Sequence, residues 1–124
     1  MKFLAALIVG FAFVAAAAAK EGVVAHLQNP DVLRAAPGAK VTLVWTLRAD
    51  KRPFTAQGIY VRLRGVAATS APAGEIGPGR FRARVTIPRG GVRSIVIAVM
   101  GWTSGLEGTR RADMRFRIDN DPTL

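Results

Sequence analysis

The sequence predicts an all-β fold, an immunoglobulin-like β-sandwich of about seven strands behind a signal peptide, on three observations. Apolar residues alternate at period two through Lys40 to Arg48, Ile59 to Arg64, Arg80 to Ile87 and Ala112 to Ile118, so each segment can bury one face and solvate the other. Turn signals such as Asn29-Pro30, Pro37-Gly38 and Pro88-Arg89-Gly90-Gly91 separate these segments at the spacing of a sandwich. No helical period survives for more than a turn in the same stretch. A small open barrel is the rival arrangement.

Of the 124 residues, the first 19 carry one charge, Lys2, and one glycine, and are otherwise apolar. Met1-Lys2, the apolar run Phe3 to Val14 and the small-residue stretch Ala15 to Ala19 follow the order of a secretory signal peptide, with cleavage expected after Ala19. An uncleaved anchor is the alternative, because Phe3 to Ala19 is 17 residues, at the low edge of a bilayer span. Residues 20–124 then form one domain, periplasmic or secreted. The chain has no cysteine, which removes disulfide staples, thiolate zinc sites, a cysteine nucleophile and a lipid-modified cysteine.

Within the domain, Val23 to Gln28 is a first short strand. Val32 to Ala36 is a weak second piece, stopped by Pro37-Gly38, where proline fixes φ and glycine accepts a positive φ. Lys40 to Arg48 turns Val41, Leu43, Trp45 and Leu47 toward the core, and Asp50-Lys51-Arg52-Pro53 makes the next turn. Ile59, Val61 and Leu63 point inward from their strand, Tyr60, Arg62 and Arg64 outward. Gly65 to Gly79 is rich in glycine, proline and small residues without useful period, so it is expected to be a mobile loop with room for a short strand near Glu75-Ile76. Phe81, Ala83, Val85 and Ile87 face in and Arg80, Arg82 and Arg84 out. Ser94 to Trp102 is nearly continuous apolar sequence, the mark of a strand with neighbours on both sides. Thr103 to Gly108 is a loop, and Ala112 to Ile118 closes the domain with Met114, Phe116 and Ile118 inward against Asp113, Arg115 and Arg117.

Several phrases line up beyond this pattern: Ala36-Pro37-Gly38 before a strand, Arg52-Pro53-Phe54 leading into Gly58-Ile59-Tyr60-Val61-Arg62-Leu63, and Gly79-Arg80-Phe81-Arg82-Ala83-Arg84-Val85. With Pro88-Arg89-Gly90-Gly91 and the strand ending in Gly101-Trp102, they make roughly residues 36–102 resemble the YtkA-like and FixH-like small exported immunoglobulin-like domains. Phe81 stands where that pattern usually has tyrosine. The resemblance implies an exported accessory domain without catalytic residues. Some members are associated with copper handling or oxidase assembly, which gives a metal-handling accessory protein as the alternative function. Copper-binding relatives use clusters of histidine and methionine, whereas the domain offers His26, Met100 and Met114, so no metal site and no cofactor are expected.

Enzymatic chemistry is not expected either. Ser70, Ser94 and Ser104 lie outside any Gly-x-Ser-x-Gly setting, and Glu75 and Glu107 are lone acids in different loops. Charge is the unusual quantity: the formal net charge is +10, with 14 arginines against four lysines. Polar strand faces and guarded edge strands account for such a charge by themselves; its functional reading is an anionic partner such as an anionic polymer, a lipid surface or an acidic protein patch. Nucleic acid is disfavoured, because the aromatics fall mostly on core-facing positions. The contact face is expected on the sheet holding Ser94 to Trp102. Ile95, Ile97 and Val99 cannot share a face with Val96, Ala98, Met100 and Trp102, so one apolar row must point out of the core. In an immunoglobulin-like order that strand lies between Ile59 to Arg64 and Ala112 to Ile118. The binding residues are therefore Tyr60, Arg62, Arg64, Met100, Trp102, Arg115 and Arg117, with Arg80, Arg82 and Arg84 on the opposite sheet.

Overall fold

The computed structural model describes residues 22–124, and the export segment expected over residues 1–19 lies outside them. The strands are β1 (Val23–Leu27), β2 (Lys40–Ala49), β3 (Arg52–Pro53), β4 (Ile59–Arg64), β5 (Ala68–Pro72), β6 (Gly74–Gly77), β7 (Arg80–Thr86), β8 (Ser94–Val99), β9 (Trp102–Gly105), β10 (Gly108–Arg111), β11 (Met114–Arg115) and β12 (Arg117–Ile118). The first sheet runs β12-β1-β2-β7-β6 with β3 added on β2; the second runs β11-β8-β4-β5; β9 and β10 pair with each other. The two sheets share one core in a sandwich-like, all-β arrangement.

Period two builds that core as expected. On β2 and β7 the inward residues meet in register, Leu43 with Ala83 and Trp45 with Phe81, so a large side chain faces a small one in the first pair and two rings stack in the second. The Trp45 and Phe81 centroids are 6.3 Å apart at 19°. From the other sheet, Ile59, Val61, Leu63, Ile95 and Ile97 close the interior, all buried. Val41 and Ile118 sit at its margin, half-buried and packed against it. The turn Asp50-Lys51 closes the Ala49–Arg52 pair with φ of 58° and 113°, the two positive values that a tight two-residue hairpin of the right twist requires.

Four expectations need correction. Val32 to Ala36 is not a strand: Pro30–Arg34 form a 3-10 turn. Asn29 before it takes the place of a neighbouring strand, donating from Nδ2 to Thr42 O and accepting from Val44 N, both at 2.8 Å. Gly65 to Gly79 is not a loop throughout, since β5 pairs with β4 and β6 with β7, the chain changing sheets at Ala73. These are edge strands held by backbone bonds, and their small side chains leave no period to read. The Ser94 to Trp102 strand stops at Val99, opposite Ile59, where β4 begins, and one last backbone bond, from Met100 N to Gly58 O at 3.0 Å, closes the pair. Ala112 to Ile118 is divided between the sheets: β11 pairs with β8, whereas β12 runs parallel to β1. Between them Phe116, 4% exposed, drops into the core against Phe54 with ring centroids 5.8 Å apart, and this plug is what carries the chain across.

Candidate functional site

The outer face of the second sheet gathers most of the expected contact residues. Register sets it out in rows: Arg62 lies between Ser70 and Val96, and Tyr60 between Pro72 and Ala98, which has Arg115 on its other side. Arg64 is opposite Ser94 one row further on. The face is concave, enclosing about 780 Å³ between Tyr60, Arg62, Arg64, Met100, Arg111 and Arg115.

The outward apolar row is present and is covered unevenly. Val96 is half-buried and Ala98 fully buried, closed over by the larger side chains of Tyr60 and Arg115 beside it. Met100 is 41% and Trp102 65% exposed. Arginine and tyrosine stems thus shield the first half of the row, and its second half stays open.

That open half runs onto a projection. Thr103 to Gly108, expected as a loop, belongs to a hairpin: β9 pairs with β10, Trp102 opposite Arg111. The pairs Val99–Met114 and Trp102–Arg111 keep one register, so β8–β9 and β10–β11 are two legs of a single ribbon that continues past the end of the sheet. In that register Met100 faces Asp113. Residues 102–111 are all exposed, with Leu106 at the tip, because no second strand flanks the ribbon there among the described residues.

Asp113 fixes the ribbon where it leaves the sheet. Its carboxylate accepts from Tyr60 Oη at 2.6 Å, from Gly101 N at 3.3 Å, and from Arg111 Nε and Nη2 at 2.9 and 2.8 Å. The Arg111 guanidinium, with Tyr60 and Gly101 assisting against burial, holds the Asp113 carboxyl down at about 2. Tyr60 is displaced the other way, its phenol pKa raised by burial first and then by the hydrogen bond to Asp113. Arg111 also sits over the Tyr60 ring, 5.8 Å from its centroid.

Tyr60, Arg62, Arg64, Met100 and Arg115 therefore line one concavity, with Trp102 beyond Met100 on the hairpin. Arg117 does not join them. It pairs with Val24 in the first sheet, because Phe116 has taken the chain across the core. Arg111 and Asp113 were missed, although alternation back from Arg115 through Asp113 to Arg111 was there to extend the face. His26, the lone histidine, is on the outer face of the first sheet with Nδ1 2.8 Å from Asp119 Oδ1, so it does not meet Met100 on the second. No family model matches the chain, and no curated protein or solved structure is significantly similar to it.

Proposed function

We propose that the protein is an exported, non-enzymatic binding module with an immunoglobulin-like sandwich, holding an acidic protein partner on the outer face of its second sheet. The strand orders β1-β2-β7-β6 and β11-β8-β4-β5 support the immunoglobulin-like reading, since they match the two-sheet division of that architecture. The observation that carries the function is the company the arginines keep. Among the described residues Arg62, Arg64 and Arg115 form no ion pair, and they border the exposed or half-exposed Tyr60, Met100 and Trp102. Tyrosine, tryptophan, methionine and arginine are the residue types concentrated in protein interfaces, where lysine and glutamate are depleted. The arginines select negative charge while the three apolar side chains give it an anchor.

A peptide alternating glutamate with phenylalanine is a suitable probe, mapped by NMR on the protein. Chemical-shift changes are expected at the Trp102 indole, the Met100 methyl and Tyr60, and a peptide with alanine in place of phenylalanine should bind more weakly. Shifts distributed over both sheets, or no dependence on phenylalanine, would contradict the proposal.

A further inference from the structure

The outer face of the first sheet has a different composition, and we infer that it is a second, independent site that binds an extended acidic polysaccharide. Arg80, Arg82 and Arg84 point outward from β7 at successive outward positions, about 7 Å apart along the strand. Beside them on β2, in register, lie Thr46, Val44 and Thr42, all half-buried. The result is a strip of short side chains along β2 with an arginine column down one side. Arg48 continues the strip at one end of β2, with Val24 and Arg117 beyond it in the same cross-strand row, and Lys40 stands at the other end. None of these six cations forms an ion pair among the described residues. The carboxylate of Asp119 reaches this face already engaged by His26.

Protection of a sheet edge does not account for Arg80 and Arg82, because β6 pairs with β7 as far as Arg82. Arg80 is also held in place, its Nε donating to Gln28 Oε1 at 2.8 Å. A row of guanidinium forks at a fixed repeat suits a chain bearing carboxylates at intervals. The Thr42 and Thr46 hydroxyls, with no side-chain partner among the described residues, can exchange hydrogen bonds with sugar hydroxyls. Other anionic occupants fit less well. The outward residues of β1, β2, β7 and β12 include no Phe, Tyr or Trp ring on which a nucleobase could stack, and the one imidazole, His26, is held by Asp119. Nor do they include a large exposed apolar side chain to enter a membrane; on this sheet Ile76, on the edge strand β6, is the one such residue among the described residues, whereas Met100, Trp102 and Leu106 belong to the other sheet's ribbon.

Oligogalacturonates of increasing length, titrated calorimetrically into the purified protein, test the site. Affinity is expected to rise until the chain spans the column from Arg84 to Arg80 and on to Arg48, and then to level off. Arg82→Ser with Arg84→Ser should weaken the longest oligomer roughly ten-fold, a modest value because the pairs are exposed. Thr42→Val with Thr46→Val keeps charge and shape and should still weaken it several-fold. Arg62→Ser with Arg115→Ser removes the same charge from the opposite sheet and should change affinity less than about two-fold, with matching melting curves showing that each variant is folded. Equal losses from the two arginine pairs, indifference to the threonines, a lack of plateau with length, or tighter binding of single-stranded DNA of equal charge would each overturn the inference. None of these outcomes bears on the phenylalanine-dependent peptide site.

Discussion

Asp113→Asn removes a charge, with little change of shape, from the point where the second sheet hands over to the projecting hairpin. The wild-type carboxylate is bound by Arg111, Tyr60 and Gly101, and its pKa falls from 3.8 to about 2, mainly through Arg111. A difference of that size between the folded and unfolded states corresponds to about 2.5 kcal/mol. The Arg111 side chain is 50% exposed, so solvent screening reduces the expected contribution to about 1 kcal/mol. Because the folded-state pKa is the lower one, this stability is fully present above about pH 4 and is lost as the pH falls through 4 toward 2. Urea melts should therefore show the variant about 1 kcal/mol less stable than wild type at pH 7, with the gap shrinking between about pH 4 and 2. In the same variant the Tyr60 phenol should ionise at a lower pH than in wild type, read by ultraviolet titration. A gap below about 0.3 kcal/mol at pH 7, or one that ignores pH, would refute the view that a charged Asp113 secures the hairpin base.

Trp45→Ala should cost about 3–5 kcal/mol in denaturant melts, since the ring is fully buried against Phe81; a loss under about 1 kcal/mol would mean that the β2–β7 register is wrong. Trp45→Phe should cost less, because the Trp45 Nε1–H is buried without a partner among the described residues and the change removes that donor. Gly79→Ala should cost about 2 kcal/mol or more, as Gly79 has φ +67° and a Cβ there would lie 2.8 Å from Leu47 O and from Pro53 Cβ. Gly74→Ala, which meets open space, should stay within about 0.5 kcal/mol, and similar losses at both glycines would remove the steric explanation. If residues 1–19 are a cleaved signal, as the sequence predicts, the intact mass of protein recovered from the periplasm should lack Met1 to Ala19, and their retention would contradict cleavage.

Side-chain alternation was a good guide wherever a strand buries one face. The inward sets Leu43-Trp45-Leu47, Ile59-Val61-Leu63 and Phe81-Ala83-Val85 could be read directly, and with them the outward Tyr60, Arg62 and Arg64. Alternation is silent where pairing rests on the backbone. Thr69, Ser70 and Ala71 have too little side chain to show a face, yet β5 is a full partner of β4. It also cannot report a change of sheet, because Met114, Phe116 and Ile118 keep perfect period while the chain crosses the core at Phe116 and takes Arg117 to the other side. The hairpin at Thr103 to Gly108 was hidden for a third reason. With no core beneath it, its residues carry no burial pattern, and only the constant register with β8 and β11 makes it visible.

Binding at the concave face of the second sheet, as proposed, is measurable by titrating arginine variants with the glutamate–phenylalanine peptide over a range of salt concentrations. Arg62→Ser with Arg115→Ser should weaken binding and flatten its dependence on salt, because two of the cations lining the face are gone. Arg82→Ser, on the opposite sheet, should leave both affinity and slope nearly unchanged. Equal losses from the two sets would mean diffuse attraction to a basic protein, and the assigned face would be wrong.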